Sequence, residues 1–510
     1  MSTGTRTAAS TAAVAATINR SIPVPFQRAG ARLADDSCGA CSDVDNDHLR
    51  CGIGGSLSAR GRQALRRRHG ATPGSCRCAG RALNLLLLSV SGPDRPELAS
   101  SITAVLHRHG VAVRDLGLSV IHDHATLGIV LEPGDDDGER GGEALGVALR
   151  SELSSCAESL GCSMRLDTLE PGRWSAWRSR MGQPRWIVTL LARRLEARHF
   201  ATVTRIVAAH GLRIDAIRRL SDAASGAAAP ADSPDRAPAE RSPAERSPAD
   251  RTRASVELAL RGALTDQRRI RGEFLAASAE LGIDIAFQRD DVWRRNRRLV
   301  AFDMDSTLIE AEVIDELARL AGVGAEVAAI TERAMHGEID FTESFRARVA
   351  LLAGLDASVL AEVAAQLPIT EGAEHLISHL RRLGYRTAII SGGFQYFGRY
   401  LQQRLGIDYV HANELEIEDG RVTGRVVGDV IDGARKAALL RQIAADEGLT
   451  LDQVIAVGDG ANDLPMLALA GLGIAFRAKP LVRESAEQSI SALGLDAILY
   501  LLGFTDADLE

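Results

Sequence analysis

The chain has 510 residues, of which 45% are hydrophobic and 25% are charged, and its formal net charge is −7. This length allows about two to four domains, and the composition is that of a globular protein. The negative charge argues against a general binder of nucleic acid or membrane surfaces, and aromatic residues, at 4%, are too few for base-stacking platforms. Because no run of about 18 apolar residues occurs, we expect no membrane span.

The first 80 residues show little hydrophobic periodicity, which predicts a disordered leader. Because Asp and Glu are absent before residue 35, an organelle transit peptide is the alternative. Five of the seven cysteines lie in this leader, at spacings that match no metal-finger pattern well. We interpret them as incidental, with a zinc cluster as the alternative. Cysteines are absent from the second half of the chain, which suits a reducing compartment.

Residues 81–172 predict a unit with the element order βαββαβ, the split arrangement of ferredoxin-like folds. Its first strand covers residues 83–90 and leads into the turn SGPDRPEL and a helix that ends at Gly110. Two strands around a turn near Asp123 follow, and then a helix and a final strand. The predicted bounds of these last two elements are residues 142–160 and 162–169.

Residues 184–290 repeat this order, which indicates an internal duplication. The middle of this second unit is interrupted by residues 223–253, which contain the near-repeat AERSPAERSPADR. Ala, Pro, Ser and alternating charges do not bury a core, so this insert is predicted to be a disordered loop. A docking or modification segment is the alternative.

In residues 296–510, short apolar strands alternate with helices. Such alternation predicts a Rossmann-like α/β domain with a parallel sheet between helices. The strands LVAFDMD, TAIISGG and VIAVGDG all end in Asp, Ser or Gly. Because ligands of such sheets bind beyond the carboxyl ends of the strands, we expect a site at this edge.

The first of these strands leads into the motif DMDST, with carboxylates at Asp303 and Asp305. Asp303 is suited to attack phosphorus and become an aspartyl-phosphate. Asp305 is suited to protonate the leaving oxygen and later to take a proton from water. A polar turn without a chemical role is the alternative for this motif taken alone.

The other two strand ends supply a phosphate cradle and further charges. Ser391 and the backbone amide of Gly392 are suited to hold a phosphate, and Lys436, near a helix start, is suited to neutralise it. In the run GDGAND, Asp459 and Asp463 combine with Asp303 into a hard-oxygen site that suits Mg²⁺. A glycine loop or a surface lysine is common when it occurs alone. The four features together, which are DMDST, SGG, Lys436 and GDGAND in this order, favour a functional site.

Six stretches carry a family resemblance: DMDSTLIEAEVIDELA, FTESFRARVALLAGL, PITEGA, SGGF, DGARKAALL and VGDGANDLPMLALAGLGIAFRAKP. In this order they resemble the haloacid dehalogenase-like phosphohydrolases, and most closely the phosphoserine phosphatase family. The resemblance covers about residues 296–507. It implies Asp303 as the phosphorylated nucleophile and Asp305 as the general acid and base.

The same resemblance assigns the remaining site residues. The implied Mg²⁺ ligands are Asp303, Asp459 and the backbone carbonyl of Asp305, with Asp463 in support. The implied phosphate ligands are Ser391, Gly392 and Lys436, and Asn462 is implied to bind substrate or phosphate.

In this family the helical insert after the first strand, here about residues 311–368, is a cap over the active site. Glu312 and Arg348 match its substrate-binding positions, and their charges suit the ammonium and carboxylate of an amino-acid phosphate. Met335 and Phe341 match the apolar lining of the cap. Solvated surface charges and ordinary helix packing are the alternatives for these residues.

The two βαββαβ units resemble ACT domains, which are regulatory modules that often bind amino acids. The turn SGPDRPEL matches their ligand-binding loop, whereas ARRLEARH in the second unit lacks the Gly and Pro. An amino-acid ligand is therefore expected at the first unit rather than at the second. Such units often pair through sheet edges or helices, so a homodimer is also an expectation.

Together these resemblances imply a cytoplasmic enzyme that hydrolyses O-phospho-L-serine in the last step of serine biosynthesis. A related phosphatase or phosphotransferase with another small phosphomonoester is the first alternative. A dehalogenase is disfavoured because it does not need Asp305. A non-catalytic amino-acid sensor is disfavoured by the full set of catalytic residues.

Overall fold

The computed structural model of the protein describes residues 85–132, 141–222 and 252–509. All of them belong to one unit, Arg81–Glu510. The predicted leader and residues 223–251 of the predicted insert lie outside the described residues. The last two residues predicted for that insert, Thr252 and Arg253, are described, and Thr252 Oγ1 donates to the carbonyl of Arg193.

The first N-terminal unit is a four-stranded antiparallel sheet with helices on one face, and its predicted order βαββαβ is confirmed. The strands are ordered β2-β3-β1-β4. In β3 alternate residues are buried against the helices, as the period of a half-buried strand requires. The elements are β1 (Leu85–Pro93), α1 (Leu98–Arg108), β2 (Ala112–Ile121), β3 (His124–Glu132), α2 (Gly141–Ser159) and β4 (Ser163–Leu169).

A helix that the sequence did not reveal, α3 (Pro171–Met181), connects the two N-terminal units. Its two indole rings, Trp174 and Trp177, stack with their centroids 4.8 Å apart.

The second unit repeats the first, with the strand order β6-β7-β5-β8. Its strands therefore occupy the same places as β2, β3, β1 and β4, which fits the predicted duplication. The elements are β5 (Arg185–Ala192), α4 (Ala197–Ala209), β6 (Arg213–Arg219), β7 (Ala254–Arg261), α5 (Gln267–Leu281) and β8 (Asp284–Arg289).

The third unit is built on a seven-stranded sheet of order β12-β11-β10-β9-β13-β14-β15, in which all neighbours except β11 and β12 are parallel. The predicted Rossmann-like sheet is confirmed. Its strands are β9 (Leu299–Phe302), β10 (Arg386–Phe394), β11 (Tyr409–Glu418), β12 (Arg421–Val427), β13 (Val454–Gly458), β14 (Leu472–Phe476) and β15 (Gln488–Ile490). Every residue of β9, β13 and β14 is buried, because helices cover both faces of a parallel sheet.

Four helices follow β9 in the segment predicted as a cap: α6 (Val313–Ala321), α7 (Gly324–Met335), α8 (Phe341–Ala350) and α9 (Val359–Gln366). The helices around the sheet are α10 (Ala373–Arg382), α11 (Gln395–Leu405), α12 (Gly433–Asp446), α13 (Leu464–Leu469), α14 (Pro480–Ser485), α15 (Ile498–Leu501) and α16 (Asp506–Leu509). Among the described helices, none combines the length and apolar character that crossing a membrane requires.

The second N-terminal unit packs against the edge of the large sheet near β15. The side chain of Gln488 accepts from the backbone N–H of Phe287 at 2.8 Å and donates to its carbonyl at 2.7 Å. Asp284 accepts two further backbone hydrogen bonds, from Ser491 and Ala492. These bonds fix β8 beside the sheet edge by groups that are largely buried.

Candidate active site

The predicted site residues converge at the carboxyl edge of the large sheet. Strand β9 lies between β10 and β13 and is parallel to both, so the three strand ends share one edge. Asp303 follows β9, Ser391 lies in the last part of β10, and Asp459 follows β13. The backbone N–H of Asp303 donates to the carbonyl of Val457, which ties the first strand end to the third.

Lys436 is fully buried beside Asp303 and holds two carboxylates together. Its Nζ lies 2.9 Å from Asp303 Oδ2 and 2.6 Å from Asp463 Oδ1. Burial disfavours the ammonium, but the two carboxylates outweigh it and raise the pKa of Lys436. A fixed positive charge therefore lies at the predicted nucleophile, where a phosphate would approach.

Three carboxylates form the cluster that the sequence predicted as a metal site. Oxygen atoms of Asp303, Asp459 and Asp463 all lie within 4.8 Å of one another. Burial, together with the charges of the other two carboxylates, raises the pKa of Asp459 to about 8. Such crowded hard-oxygen donors fit a divalent cation, which would relieve their mutual repulsion.

Asp305 points to a different part of the site from Asp303. Its Oδ1 accepts a hydrogen bond of 3.3 Å from the backbone N–H of Val313, at the start of α6. Burial, and then the charges of Glu312 and Asp303, raise the pKa of Asp305 well above its usual range. The first cap helix and the second carboxylate of the motif are therefore in direct contact.

The glycines after Ser391 allow the cradle and the cap to approach each other closely. Ser391 Oγ accepts from the N–H of Gly393 at 2.9 Å. A Cβ added at Gly393 would lie 2.4 Å from Asp305 Oδ2, and one added at Gly392 would lie 3.1 Å from the Phe341 ring. Gly393 is thus a site residue that the sequence prediction left without a role.

The cap helices complete a cavity of about 820 Å³ above Asp303. Glu312 and Arg348 both line it, together with Asp459 and Asn462 from the sheet edge. Phe341 also lines it, as the resemblance implied, whereas the side chain of Met335 lies outside the described part of the chain. The predicted substrate-binding and catalytic residues therefore line one cavity, except Lys436, which is buried next to Asp303.

The two charged cap residues that line the cavity, Glu312 and Arg348, differ in their hydrogen bonds. Glu312 Oε1 accepts from Ser306 Oγ at 2.9 Å, and burial raises the pKa of this carboxyl. Burial lowers the pKa of Arg348, which the charges of Asp315 and Glu312 oppose. Arg348 Nε is buried and has no hydrogen-bond partner among the described residues. An anionic group in the cavity would supply one.

Two positioning residues escaped the sequence prediction. Thr307 is fully buried, and its Oγ1 donates to Asp459 Oδ1 at 3.1 Å. Asn413 donates from Nδ2 to the carbonyl of Gly392 and accepts at Oδ1 from the N–H of Ile431, both at 2.8 Å. Thr307 was visible as the last letter of DMDST, but nothing in the sequence around Asn413 marks its link between the cradle and the segment before α12.

Two family models match the chain. A model of haloacid dehalogenase-like hydrolases matches residues 300–468, and a model of the ACT domain matches residues 84–167. A solved structure of a HAD family hydrolase from Salmonella enterica has a TM-score of 0.51 and 28% identity, and the match covers 62% of this chain and 98% of that one. With its parallel sheet and cluster of aspartates, the C-terminal domain is a haloacid dehalogenase-like hydrolase.

Curated relatives give a narrower placement. A phosphoserine phosphatase of Streptomyces coelicolor is 41% identical over 427 residues, which cover 83% of this chain and 93% of that protein. A phosphoserine phosphatase of Mycobacterium tuberculosis is 39% identical over 428 residues, covering 83% and 94%. The chain belongs to the phosphoserine phosphatase family.

Proposed function

We propose that this chain hydrolyses O-phospho-L-serine to L-serine and phosphate through an aspartyl-phosphate on Asp303, with Mg²⁺ as the cofactor. The observation that carries the proposal is that one cavity joins phosphoryl-transfer residues to a carboxylate, Glu312, and a guanidinium, Arg348. A zwitterionic phosphate monoester needs all three kinds of group. The names of the curated relatives point to the same substrate.

In the first step a carboxylate oxygen of Asp303 attacks phosphorus, and the bond from phosphorus to the serine oxygen breaks. Asp305 gives its proton to that leaving oxygen, so L-serine departs with a neutral hydroxyl. Lys436 neutralises charge on the phosphoryl oxygens, and Ser391 with the neighbouring backbone amides holds them. Asn462, which lines the same cavity, is proposed to bind substrate or phosphate.

In the second step water attacks the phosphorus of the aspartyl-phosphate. Asp305, now ionised, takes a proton from this water, and the bond from phosphorus to the Asp303 oxygen breaks. Phosphate leaves and both carboxyl groups return to their starting states.

The proposed metal site uses the carboxylates of Asp303 and Asp459 and the backbone carbonyl of Asp305, with Asp463 in support. Mg²⁺ bound there supplies charge neutralisation at the phosphate oxygens. Thr307 holds one oxygen of Asp459 by a hydrogen bond, which orients this carboxylate toward the cluster.

On the cap side, Glu312 is proposed to pair with the substrate ammonium and Arg348 with its carboxylate. A closed cap would exclude bulk water during the first step. We place this reaction in the cytoplasm, as the last step of serine biosynthesis.

For the first N-terminal unit we propose a bound ligand and a contact with a second copy of the chain. The ligand-loop motif SGPDRPEL runs from the end of β1 to the start of α1, and the Oγ atom of its first residue, Ser91, lies 2.9 Å from His124 Nε2. An amino acid is the proposed ligand there. Strand β2 is a sheet edge that leaves Leu116 and Leu118 exposed, which supports a homodimer through this surface.

The substrate assignment is tested with Glu312→Gln and Arg348→Gln. Each change removes a charge-assisted hydrogen bond, so KM for O-phospho-L-serine should rise about 10- to 100-fold. KM for p-nitrophenyl phosphate, which has neither ammonium nor carboxylate, should change less than about twofold. Initial rates with Mg²⁺ measure both.

The matched controls are Glu316→Gln on α6 and Arg346→Gln on α8, which do not line the cavity. Both should keep the KM of the unchanged chain for either substrate. Equal rises of KM for the two substrates in the Glu312 and Arg348 variants would contradict an amino-acid substrate and favour another phosphomonoester.

A further inference from the structure

Helix α8 presents a second polar side chain to the catalytic cavity, Ser344, which lies one helical turn before Arg348. Ser344 is only 1% exposed, and its Oγ has no hydrogen-bond partner among the described residues. The buried Nε of Arg348 shares this property. Two polar groups without partners thus line one cavity from the same helix.

A hydroxyl within a helix usually has a partner nearby, because it can donate to the carbonyl four residues earlier. Thr331 on α7 shows this: its Oγ1 donates to the carbonyl of Val327 at 3.1 Å, although Thr331 also lines the cavity. The hydroxyl of Ser344 makes no such bond to Asp340. Its hydrogen-bonding capacity is therefore left for a group inside the cavity.

Side chains four residues apart on a helix lie on one face, with about 5–6 Å between their Cβ atoms. A hydroxyl and a guanidinium at this spacing can both donate to the two oxygens of one carboxylate. The phosphate already has Ser391 and Lys436 at the sheet edge, and the ammonium needs an acceptor, which Glu312 provides. The carboxylate is the group that an extra donor beside Arg348 fits.

We propose that Ser344 is a substrate-binding residue whose hydroxyl donates to the α-carboxylate of the substrate next to Arg348, and so contributes to selection of an amino-acid phosphate. This inference rests on the proposed function and adds a residue to it.

The test compares O-phospho-L-serine with O-phosphoethanolamine, which has the same phosphate and ammonium but no carboxylate. In the full chain with Mg²⁺, Ser344→Ala should raise KM for phosphoserine roughly tenfold, the usual cost of one hydrogen bond to a charged group, and leave kcat within about twofold. KM for phosphoethanolamine should stay within about twofold. Thr331→Val, whose lost hydroxyl bonds its own helix, should preserve the ratio of the two KM values.

Thermal unfolding gives a second readout. Because Ser344→Ala removes a buried hydroxyl that has no partner, the melting temperature of the unliganded chain should stay the same or rise. A marked fall would show that the hydroxyl supports the cap itself and would overturn the proposal. Equal rises of KM for both substrates, or an unchanged KM for phosphoserine, would overturn it as well.

Failure of this inference is distinct from failure of the proposed function. If the unchanged chain hydrolyses phosphoserine and Ser344→Ala has the same KM, only the proposed role of Ser344 is wrong. If the unchanged chain does not hydrolyse phosphoserine, the substrate assignment is wrong, and so is the role of Ser344.

Discussion

At the scale of single residues, the catalytic edge of the sheet is so closely packed at Gly393 that the methyl group of an alanine would not fit without a shift of its neighbours. A Cβ at Gly393 would lie 2.4 Å from Asp305 Oδ2 and 2.6 Å from Met304 Cε. Met304 is fully buried, and the Oδ1 atom of Asp305 is held by the backbone N–H of Val313 at the start of α6. The position of the proposed general acid therefore depends on a glycine in a different strand.

We expect Gly393→Ala to displace Asp305 and to lower kcat about 100-fold, the usual effect of a misplacement of about 1 Å. Steady-state kinetics with phosphoserine measures this, and circular dichroism checks the fold. Gly272→Ala in α5 is the matched control, because a Cβ there meets nothing within 4 Å. An unchanged kcat in Gly393→Ala would show that Asp305 is not constrained by this contact.

The catalytic aspartates could be predicted from the sequence, whereas the positioning residue Asn413 could not. The aspartates at 303, 305, 459 and 463 stood out because they follow apolar strands in short motifs, and the structure brings all four to one edge. Asn413 did not stand out, since its partner Gly392 is 21 residues away and the pair exists only after β10 and β11 align. Contacts of this kind depend on which strands become neighbours, and the residues around Asn413 do not show this.

At the scale of elements, the sequence predicted the strands and helices of the first N-terminal unit to within a few residues. Helix α3 was missed because RWSAWRSR has only two large apolar residues, Trp174 and Trp177, which are too few to show a helical period, and their indoles stack only in the folded chain. Strand β1 continues to Pro93, past the predicted end at residue 90, because β3 pairs with it as far as the turn signal. The turn residues Gly92 and Pro93 gave the wrong boundary because pairing with β3 extends the strand through them.

At the scale of the whole molecule, the second N-terminal unit is joined to the phosphatase domain by buried polar groups. Besides Asp284 and Gln488, the guanidinium of Arg294 is almost fully buried and pairs with Glu257 of β7. Arg294 Nε also donates to the carbonyl of Leu501, near the end of the chain. Buried contacts of this type fix orientation, because each group loses its partner if the units move apart.

Asp284 makes this junction sensitive to pH. Burial raises its pKa to about 6, although the N–H groups of Ala492 and Ser491 and the charges of Arg483 and Arg477 favour the carboxylate. In the unfolded chain the pKa is about 3.9, so between about pH 4 and 6 the folded state holds a proton that the unfolded state has lost. The contribution of Asp284 to the free energy of unfolding therefore falls as pH rises through this window, by on the order of 3 kcal/mol.

We expect Asp284→Asn to remove this dependence. Urea unfolding measures the free energy of unfolding of both proteins at each pH. The value for the variant minus the value for the unchanged chain should rise between pH 4 and pH 7, by on the order of 3 kcal/mol. Parallel pH dependences of the two proteins would show that Asp284 does not hold its proton at this junction.

The central claim, that Asp303 is phosphorylated during hydrolysis of phosphoserine, is tested most directly by trapping the intermediate. The full chain is mixed with Mg²⁺ and O-phospho-L-serine carrying radioactive phosphate, and the reaction is quenched in acid within milliseconds. We expect label on the peptide that contains Asp303, release of this label by hydroxylamine, and no label on Asp303→Asn, which should also lose turnover. Turnover of phosphoserine by Asp303→Asn at the rate of the unchanged chain, or label on a different peptide, would contradict it.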